Sequence, residues 1–249
     1  MKGVRVVDQP ISLFHGETLS TTTTIKGLGL PDQVSEAVVY DGSADFRLQL
    51  GPPLDYCGKT IDNEVTFTDY TTVAKDRSTS TSVDLSALST AAAGDYWYLA
   101  SRFPFGGATI DVDGANSTDP CTMTGYYWNG STWAAASITD GTNSGTICLA
   151  QDGNVTWTVP AAWRPKEFAA AGDRWLYVMR LQVDDDLDAA TTIDEITLLP
   201  DTTANPPGYF ESATVYTLSL NKDEVGSLCF YLDSGTSTQY ITWAKHSYS

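Results

Sequence analysis

Short apolar runs separated by turn-forming residues repeat along the chain. The runs are rich in Val, Ile, Thr, Tyr and Trp, and clusters of Gly, Asp, Asn and Pro stand between them. The 3.6-residue period of an amphipathic helix is nearly absent. This pattern predicts an all-β protein, a jelly-roll-like antiparallel β-sandwich with additional amino- and carboxyl-terminal strands. Asn129-Gly130 and Asp152-Gly153 predict tight hairpin turns, because these residues accept positive φ.

Seven predicted strands occupy the centre of the chain. They are Tyr96 to Leu99, Thr109 to Val112, Gly125 to Trp128, Gly145 to Leu149, Val155 to Val159, Trp175 to Val183 and Ile193 to Leu199. Alternation also predicts a strand at Val65 to Thr68, whereas the polar segment Ala74 to Thr90 is either a linker or an edge strand. We expect residues 1–75 to form an N-terminal arm and strands packing on the sandwich, 76–200 the jelly-roll sandwich, and 201–249 C-terminal strands for an assembly contact.

The net negative charge of the chain limits the kinds of molecule that it is expected to bind. Lys and Arg number 14 against 31 Asp and Glu, a formal charge of −17. A nucleic-acid partner is not expected, because such binding needs cations that displace counterions from phosphates. No apolar stretch is long enough for a membrane-spanning helix or a signal core. A membrane partner is therefore not expected, and we expect the protein to be made in cytosol-like conditions.

Four widely spaced cysteines carry no recognisable metal or redox motif. Cys57, Cys121, Cys148 and Cys229 show no Cys-x-x-Cys spacing, so we expect reduced, partly buried thiols.

Catalytic motifs are missing from the sequence, and we expect no enzyme and no catalytic residue. His15 and His246 stand in no metal or nucleophile spacing, and there is no Gly-x-Ser-x-Gly or phosphate loop. A glycan-active enzyme would have to rest on a pair of carboxylates, whose separation a sequence does not reveal.

Two groups of residues are candidates for a binding site. The carboxylates of Asp184, Asp185, Asp186 and Asp188 are potential Ca²⁺ ligands, although a solvated hairpin tip is the favoured interpretation, and Asp111 with Asp113 is a similar case. No other cofactor is expected. Tyr126 and Trp133 are the first candidates for a sugar-stacking platform, although burial in the core is the default for aromatic residues in strands.

Other aromatic and charged residues are expected to be structural. Trp128, Trp133, Trp157, Trp163 and Trp175 together carry enough apolar surface to build most of a sandwich core. Arg180 stands in an apolar strand, so it must find a carboxylate or carbonyl groups.

Residues 83–199 also carry an ordered set of aromatic and glycine-containing motifs. In chain order they are Gly94 to Ser101, Phe103 to Gly107, Tyr126-Tyr127-Trp128-Asn129-Gly130-Ser131-Thr132-Trp133, Asp140-Gly141-Thr142, Gly153-Asn154-Val155-Thr156-Trp157, Trp175 to Leu181 and Ile193-Asp194-Glu195-Ile196. The set resembles a jelly-roll module of structural proteins in tailed-bacteriophage virions, of the capsid decoration, tail and baseplate type.

The resemblance implies a virion structural protein. The role it favours is a capsid decoration or cement protein on the head surface, with the major capsid protein or other virion proteins as partners. Family habit and capsid geometry favour a homo-oligomer, a trimer above other states. A tail or baseplate component with a carbohydrate-binding module for the host surface is the first alternative, and a glycan-active enzyme is the second.

Overall fold

The computed structural model contains twenty β-strands and short 3-10 turns in its described part, which confirms the all-β sandwich. It describes residues 15–19, 25–29, 36–41, 46–76, 78, 80–89, 93–201, 208–210, 215–221, 223–231 and 237–244. In chain order the strands are β1 His15–Leu19, β2 Ile25–Gly29, β3 Glu36–Asp41, β4 Phe46–Gly51, β5 Tyr56–Thr60, β6 Thr68–Asp69, β7 Val83–Asp84, β8 Tyr96–Ser101, β9 Gly107–Gly114, β10 Met123–Trp128, β11 Trp133–Ala136, β12 Ile138–Asp140, β13 Gly153–Trp157, β14 Lys166–Phe168, β15 Arg174–Val183, β16 Thr192–Leu199, β17 Gly208–Phe210, β18 Val215–Ser219, β19 Ser227–Tyr231 and β20 Ser237–Ala244. The 3-10 turns include Val73–Lys75 and Ala169–Ala171.

Residues 51–206 form one compact unit with two antiparallel sheets. The seven-stranded sheet has the order β11-β10-β15-β8-β5-β6, with β14 also paired to β15, and the five-stranded sheet has the order β12-β13-β9-β16-β7. Their inner faces enclose the main apolar core, which includes Trp97, Leu99, Ile110, Met179 and Ile196. The unit is therefore a two-sheet sandwich.

The expected tryptophan core is only partly present. Trp157 and Trp163 are buried, with ring centroids 5.4 and 5.1 Å from that of Phe105. Trp128 and Trp133 are half-buried on the other face of the seven-stranded sheet. Trp175, the second residue of β15, lies opposite Glu167 of β14 and is 64% exposed.

Residues 1–50 and 207–249 supply the second unit. One of its sheets has the order β1-β20-β3-β18, and the other has the order β17-β4-β19-β2. The N-terminal and C-terminal strands thus pair with each other, for example β1 with β20 and β2 with β19.

The observed unit boundaries differ from the predicted divisions at 75/76 and 200/201. The central unit begins at Gly51, because β5 pairs with β8 and so belongs to the seven-stranded sheet. Within the ambiguous segment 74–90, β7 is an edge strand that pairs with β16. The N-terminal and C-terminal parts, treated separately in the prediction, share one unit.

The prediction of four reduced thiols is wrong for two of the cysteines. Cys121 and Cys148 form a disulfide across 27 positions of sequence, whereas Cys57 and Cys229 are buried and retain their thiols. The two bonded residues lie in loops that the fold brings together, a proximity that their sequence spacing does not signal.

Candidate functional site

The outer face of the seven-stranded sheet carries a row of residues from four neighbouring strands. Tyr126 on β10 lies opposite Arg180 on β15, Arg180 opposite Tyr98 on β8, and Tyr98 opposite Gly58 on β5. Successive residues of a strand point to opposite faces, and Met179, next to Arg180, belongs to the core between the sheets. The row therefore faces away from that core.

A second apolar cluster covers part of this outer face. Its buried members are Tyr56, Tyr98, Ala100, Phe168, Leu176 and Val178. The ring of Phe168, from β14, lies with its centroid 5.3 Å from those of both Tyr56 and Tyr98. Phe67 adds a ring 5.7 Å from that of Tyr98. Both faces of the sheet are thus apolar, and the outer one is covered by β14 and the loop after β5.

Arg180 lies beside that cluster, surrounded by three aromatic rings. Its guanidinium carbon is 4.3 Å from the ring centroid of Tyr96, 4.7 Å from that of Trp133 and 5.3 Å from that of Tyr126. The Arg180 side chain is 14% exposed, and its Nη1 lies 3.8 Å from Oε1 of Glu64. Ring faces and one carboxylate therefore compensate for the burial of this charge, and Glu64 is the carboxylate that the sequence required without identifying.

Glu64 reaches Arg180 because Asp62 shapes the loop after β5. The Asp62 carboxylate accepts hydrogen bonds from the hydroxyl and backbone N–H of Thr66 and from the hydroxyl of Thr60, the last at 2.7 Å. These bonds lower the pKa of Asp62 to about 2. The loop holds Glu64 in a left-handed conformation, with φ of 66°.

Tyr98 shares Glu64 with Arg180. The Tyr98 hydroxyl donates a hydrogen bond to Oε1 of Glu64. Burial, followed by the hydrogen bond and negative charge of Glu64, raises the pKa of Tyr98 far above its usual value. Tyr98 consequently remains a neutral donor near neutral pH. The group Tyr98, Glu64 and Arg180 is suited to fixing the loop on the sheet.

The two sugar-binding candidates, Tyr126 and Trp133, both contact this arginine. Trp133 also meets Trp128 edge to face at 5.7 Å, and Nζ of Lys166 lies 5.1 Å from the Trp128 ring centroid. Sugars stack on ring faces, and cations already lie over the faces of all three rings. The fold brings the candidates together, but around a side chain of the protein itself, and sugar binding stays a prediction.

Three of the four acidic candidates, which all lie in the loop after β15, accept hydrogen bonds from different partners. Asp184 accepts the backbone N–H of Thr122 at 2.6 Å, and Asp185 accepts that of Asp186 at 2.9 Å. Asp188 accepts the hydroxyl of Ser117 at 2.8 Å. Within the described residues, no group of three or more His, Cys, Asp or Glu side chains is arranged to hold a metal ion.

The second acidic pair, Asp111 and Asp113, lies on β9. Asp111 stands opposite Glu195 of β16, and Asp113 accepts the hydroxyl of Thr192 at 3.2 Å. Burial, followed by the charges of Asp113 and Asp76, raises the pKa of Asp194. Ca²⁺ binding at the acidic residues stays a prediction.

A buried asparagine and the disulfide organise the loops at the end of the sandwich that carries the acidic segment. Asn116 is fully buried, and its side-chain amide donates to the carbonyl oxygens of Asp119 at 2.9 Å and Cys148 at 3.2 Å. Its side-chain oxygen accepts the backbone N–H of Asp188 at 3.3 Å. Three loops are therefore joined around one side chain, next to the bond between Cys121 and Cys148.

Comparison with known proteins identifies no relative. No protein-family model matches the chain, and neither a curated protein nor a solved structure matches it. Across the part of the chain that the structure describes, no helix has the length and apolar character needed to cross a membrane.

Proposed function

We propose that this chain is a non-enzymatic structural protein of a tailed-bacteriophage virion, a decoration protein that stabilises the head. The observation that carries the proposal is the division of the chain, in which both terminal segments combine into one unit and residues 51–206 form the other. One unit is available to attach to the capsid lattice, and the other to be displayed. The partner is the major capsid protein, and the chain is made in the host cytoplasm before it joins the head surface.

The open sheets of the terminal unit support an attachment role. β1 and β18 stand at the two edges of one four-stranded sheet, and β17 and β2 stand at the edges of the other. Among the described strands, none pairs with the outer side of these four. Unpaired backbone N–H and C=O groups are templates for a strand from another protein. Repetition over a capsid lattice converts weak individual contacts into lasting attachment.

Charge and covalent structure fit a particle surface. A net charge of −17 keeps a crowded layer of copies soluble and separated from one another. The disulfide between Cys121 and Cys148 fits a protein that functions outside a reducing cytosol, where such bonds persist.

Particle binding tests the proposal. DNA-filled heads assembled without this chain, and separately purified tails, are incubated with increasing amounts of the protein and then pelleted. We expect saturable co-sedimentation with heads and none with tails. Binding to neither particle would overturn the proposal, and binding to tails alone would favour a tail component. Bovine serum albumin, another soluble acidic protein, serves as the control for trapping in the pellet.

A tail or baseplate protein with a carbohydrate-binding module is the second candidate. The observation that favours it is the grouping of Tyr126 and Trp133 with the donors Arg180 and Gln182 on one face, the Gln182 amide lying 3.4 Å from the Tyr126 hydroxyl. It predicts binding on a glycan array that is lost in Trp133→Ala and retained in Trp175→Ala, an exposed tryptophan outside this group. Hydrolysis of a bound glycan would indicate the glycan-active enzyme instead.

A further inference from the structure

One side of the central sandwich is formed by a single, nearly continuous segment. β11 is the edge strand of the seven-stranded sheet, and β12, which follows after Ser137, is the edge strand of the five-stranded sheet. No described strand pairs with the outer side of either. Residues 133–140, named here the edge segment, thus provide the border of both sheets.

The backbone of the edge segment directs hydrogen-bonding groups outward. Asn129 N–H donates to the carbonyl of Thr132 at 3.1 Å, which makes this a hydrogen-bonded pair at the start of the hairpin. Hydrogen-bonded and non-hydrogen-bonded pairs alternate along antiparallel strands. Trp133 and Ala135 are therefore the residues whose N–H and C=O groups point away from β10. Consistent with this, Trp128, opposite Trp133, uses its carbonyl to accept Arg164 N–H at 2.9 Å, away from β11.

Apart from Trp133, Ile138 and Asp140, the side chains of the edge segment are small and uncharged. From Gly130 to Thr139 the sequence is Gly-Ser-Thr-Trp-Ala-Ala-Ala-Ser-Ile-Thr, without a charged residue or a proline. Ala135, Ser137 and Thr139 are exposed. Natural edge strands are usually protected by lysine, proline, bulges or short length, and β11 has none of the first three within its four residues.

Packing against both sheets holds the edge segment in a fixed shape. Trp133 packs on Arg180 and Trp128, while Ile138 packs on the main core. Gly125 permits the crossing from one sheet to the other, because a Cβ there would lie 2.7 Å from Cγ2 of Ile138. A rigid edge loses little conformational entropy when another strand joins it.

The opposite side of the sandwich is protected. Its edge strands, β6 and β7, have two residues each and contain Asp69 and Asp84. Nζ of Lys59 lies 3.7 Å from Oδ1 of Asp84 at the same border. Short charged strands discourage pairing, so of the two borders formed by the described strands, the one at the edge segment is suited to extension.

We infer that the edge segment is a self-association site, where β11 pairs antiparallel with β11 of a second copy about a two-fold axis. A chain of charge −17 repels its own copies, and β11, which contains no acidic residue, is where two copies approach at least electrostatic cost. Head-to-tail growth would need the edge segment of one copy to pair with β6 or β7 of the next, and these strands do not offer a matching edge. The arrangement that is left is the isologous one, in which β11 pairs with β11. The inference does not depend on the virion role, and it favours two-fold pairing over the trimer expected from family habit.

Sedimentation equilibrium over a concentration series is the test. A single short edge gives a small interface, so we expect a monomer–dimer equilibrium with Kd on the order of 0.1 to 1 mM. Ala135→Asp and Ala135→Lys should both abolish the dimer, and the lysine variant shows that added net repulsion is not the cause. Thr68→Asp, the same kind of change at the exposed opposite edge, should leave the dimer unchanged. Thermal unfolding of each variant verifies folding.

Amide hydrogen exchange gives a second readout. The N–H groups of Trp133 and Ala135 should exchange more slowly at high protein concentration, whereas those of Thr68 and Asp69 should not change. A protein that stays monomeric at about 1 mM, a trimer, or a dimer that survives both substitutions at Ala135 would each overturn the inference.

Discussion

Asp55 and Arg102 form a three-point contact at the start of the seven-stranded sheet. The Asp55 carboxylate accepts hydrogen bonds from the Arg102 backbone N–H at 2.8 Å, from Nε at 3.0 Å and from Nη2 at 2.6 Å. Arg174 donates two further hydrogen bonds to Asp55. Its Nη1 donates to the carboxylate oxygen Oδ1 at 3.3 Å, and its Nη2 donates to the backbone carbonyl oxygen at 2.7 Å. The Asp55 side chain is 5% exposed, so one buried carboxylate connects the segment before β5 to the residue after β8 and to the start of β15.

Replacing Asp55 with asparagine should destabilise the protein. The variant keeps the shape of the side chain but leaves the two guanidinium groups without their negative partner. Because both arginines are nearly half exposed, we expect a loss of about 2 kcal/mol in the free energy of unfolding, at the lower end for charged hydrogen bonds. Urea denaturation measures it. Asp173→Asn, at an exposed position where φ of 58° suits asparagine, should change stability by less than about 0.5 kcal/mol.

The contribution of Asp55 should depend on pH. Burial raises the pKa of Asp55, but the hydrogen bonds and charges of Arg102 and Arg174 outweigh burial, and the pKa lies below its usual value. The stabilisation is therefore complete above the unfolded-state pKa of about 3.9 and is lost as pH falls through the folded-state pKa. The difference in unfolding free energy between wild type and Asp55→Asn should shrink from pH 6 to pH 2. A constant difference would contradict this assignment.

Thiol counting should distinguish the four cysteines. Cys57 and Cys229 are buried, and burial raises the pKa of each thiol to about 12, so neither forms a reactive thiolate near neutral pH. The folded protein should show no rapidly reacting thiol with Ellman's reagent. Denaturation without reductant should reveal two thiols, and denaturation after reduction should reveal four. Four thiols without reduction would contradict the bond between Cys121 and Cys148.

Removing that disulfide should loosen the loop end of the sandwich. The double variant Cys121→Ser, Cys148→Ser loses the restriction that the bond places on the unfolded chain. For a loop closed across 27 positions we expect a loss of about 3 to 4 kcal/mol in unfolding free energy. Calorimetry with and without reductant measures it: wild type should be sensitive to reductant, and the double variant should be insensitive.

Local signals in the sequence predicted the elements that local chemistry determines. The hairpin at Asn129-Gly130 is present, with Gly130 at φ of 103° and β10 paired to β11 as expected. Gly153 is different: it lies at the start of β13 without positive φ, and glycine is needed because a Cβ would lie 2.2 Å from the Gly141 carbonyl oxygen. Sequence identifies the glycine but does not reveal that its neighbour is another loop.

Elements that depend on distant partners differ from the prediction, because local sequence carries no signal of those partners. Residues 145–149, expected to be a strand, form a turn segment that contains Cys148 and its bond to Cys121. The expected strand at Val65 to Thr68 is mostly loop, and β5 before it was not predicted. The sequence predicts that Arg180 needs a carboxylate or carbonyl partner, but it does not identify Glu64, which is far away in sequence and is positioned by the turn at Asp62.

The temperature at which heads release DNA tests the stabilising role most directly. Heads assembled without this chain are compared with the same heads after saturation with the protein, and release is followed by the fluorescence of a DNA-binding dye during heating. A stabilising protein predicts a higher release temperature that follows occupancy. An unchanged release temperature at full occupancy would contradict the account.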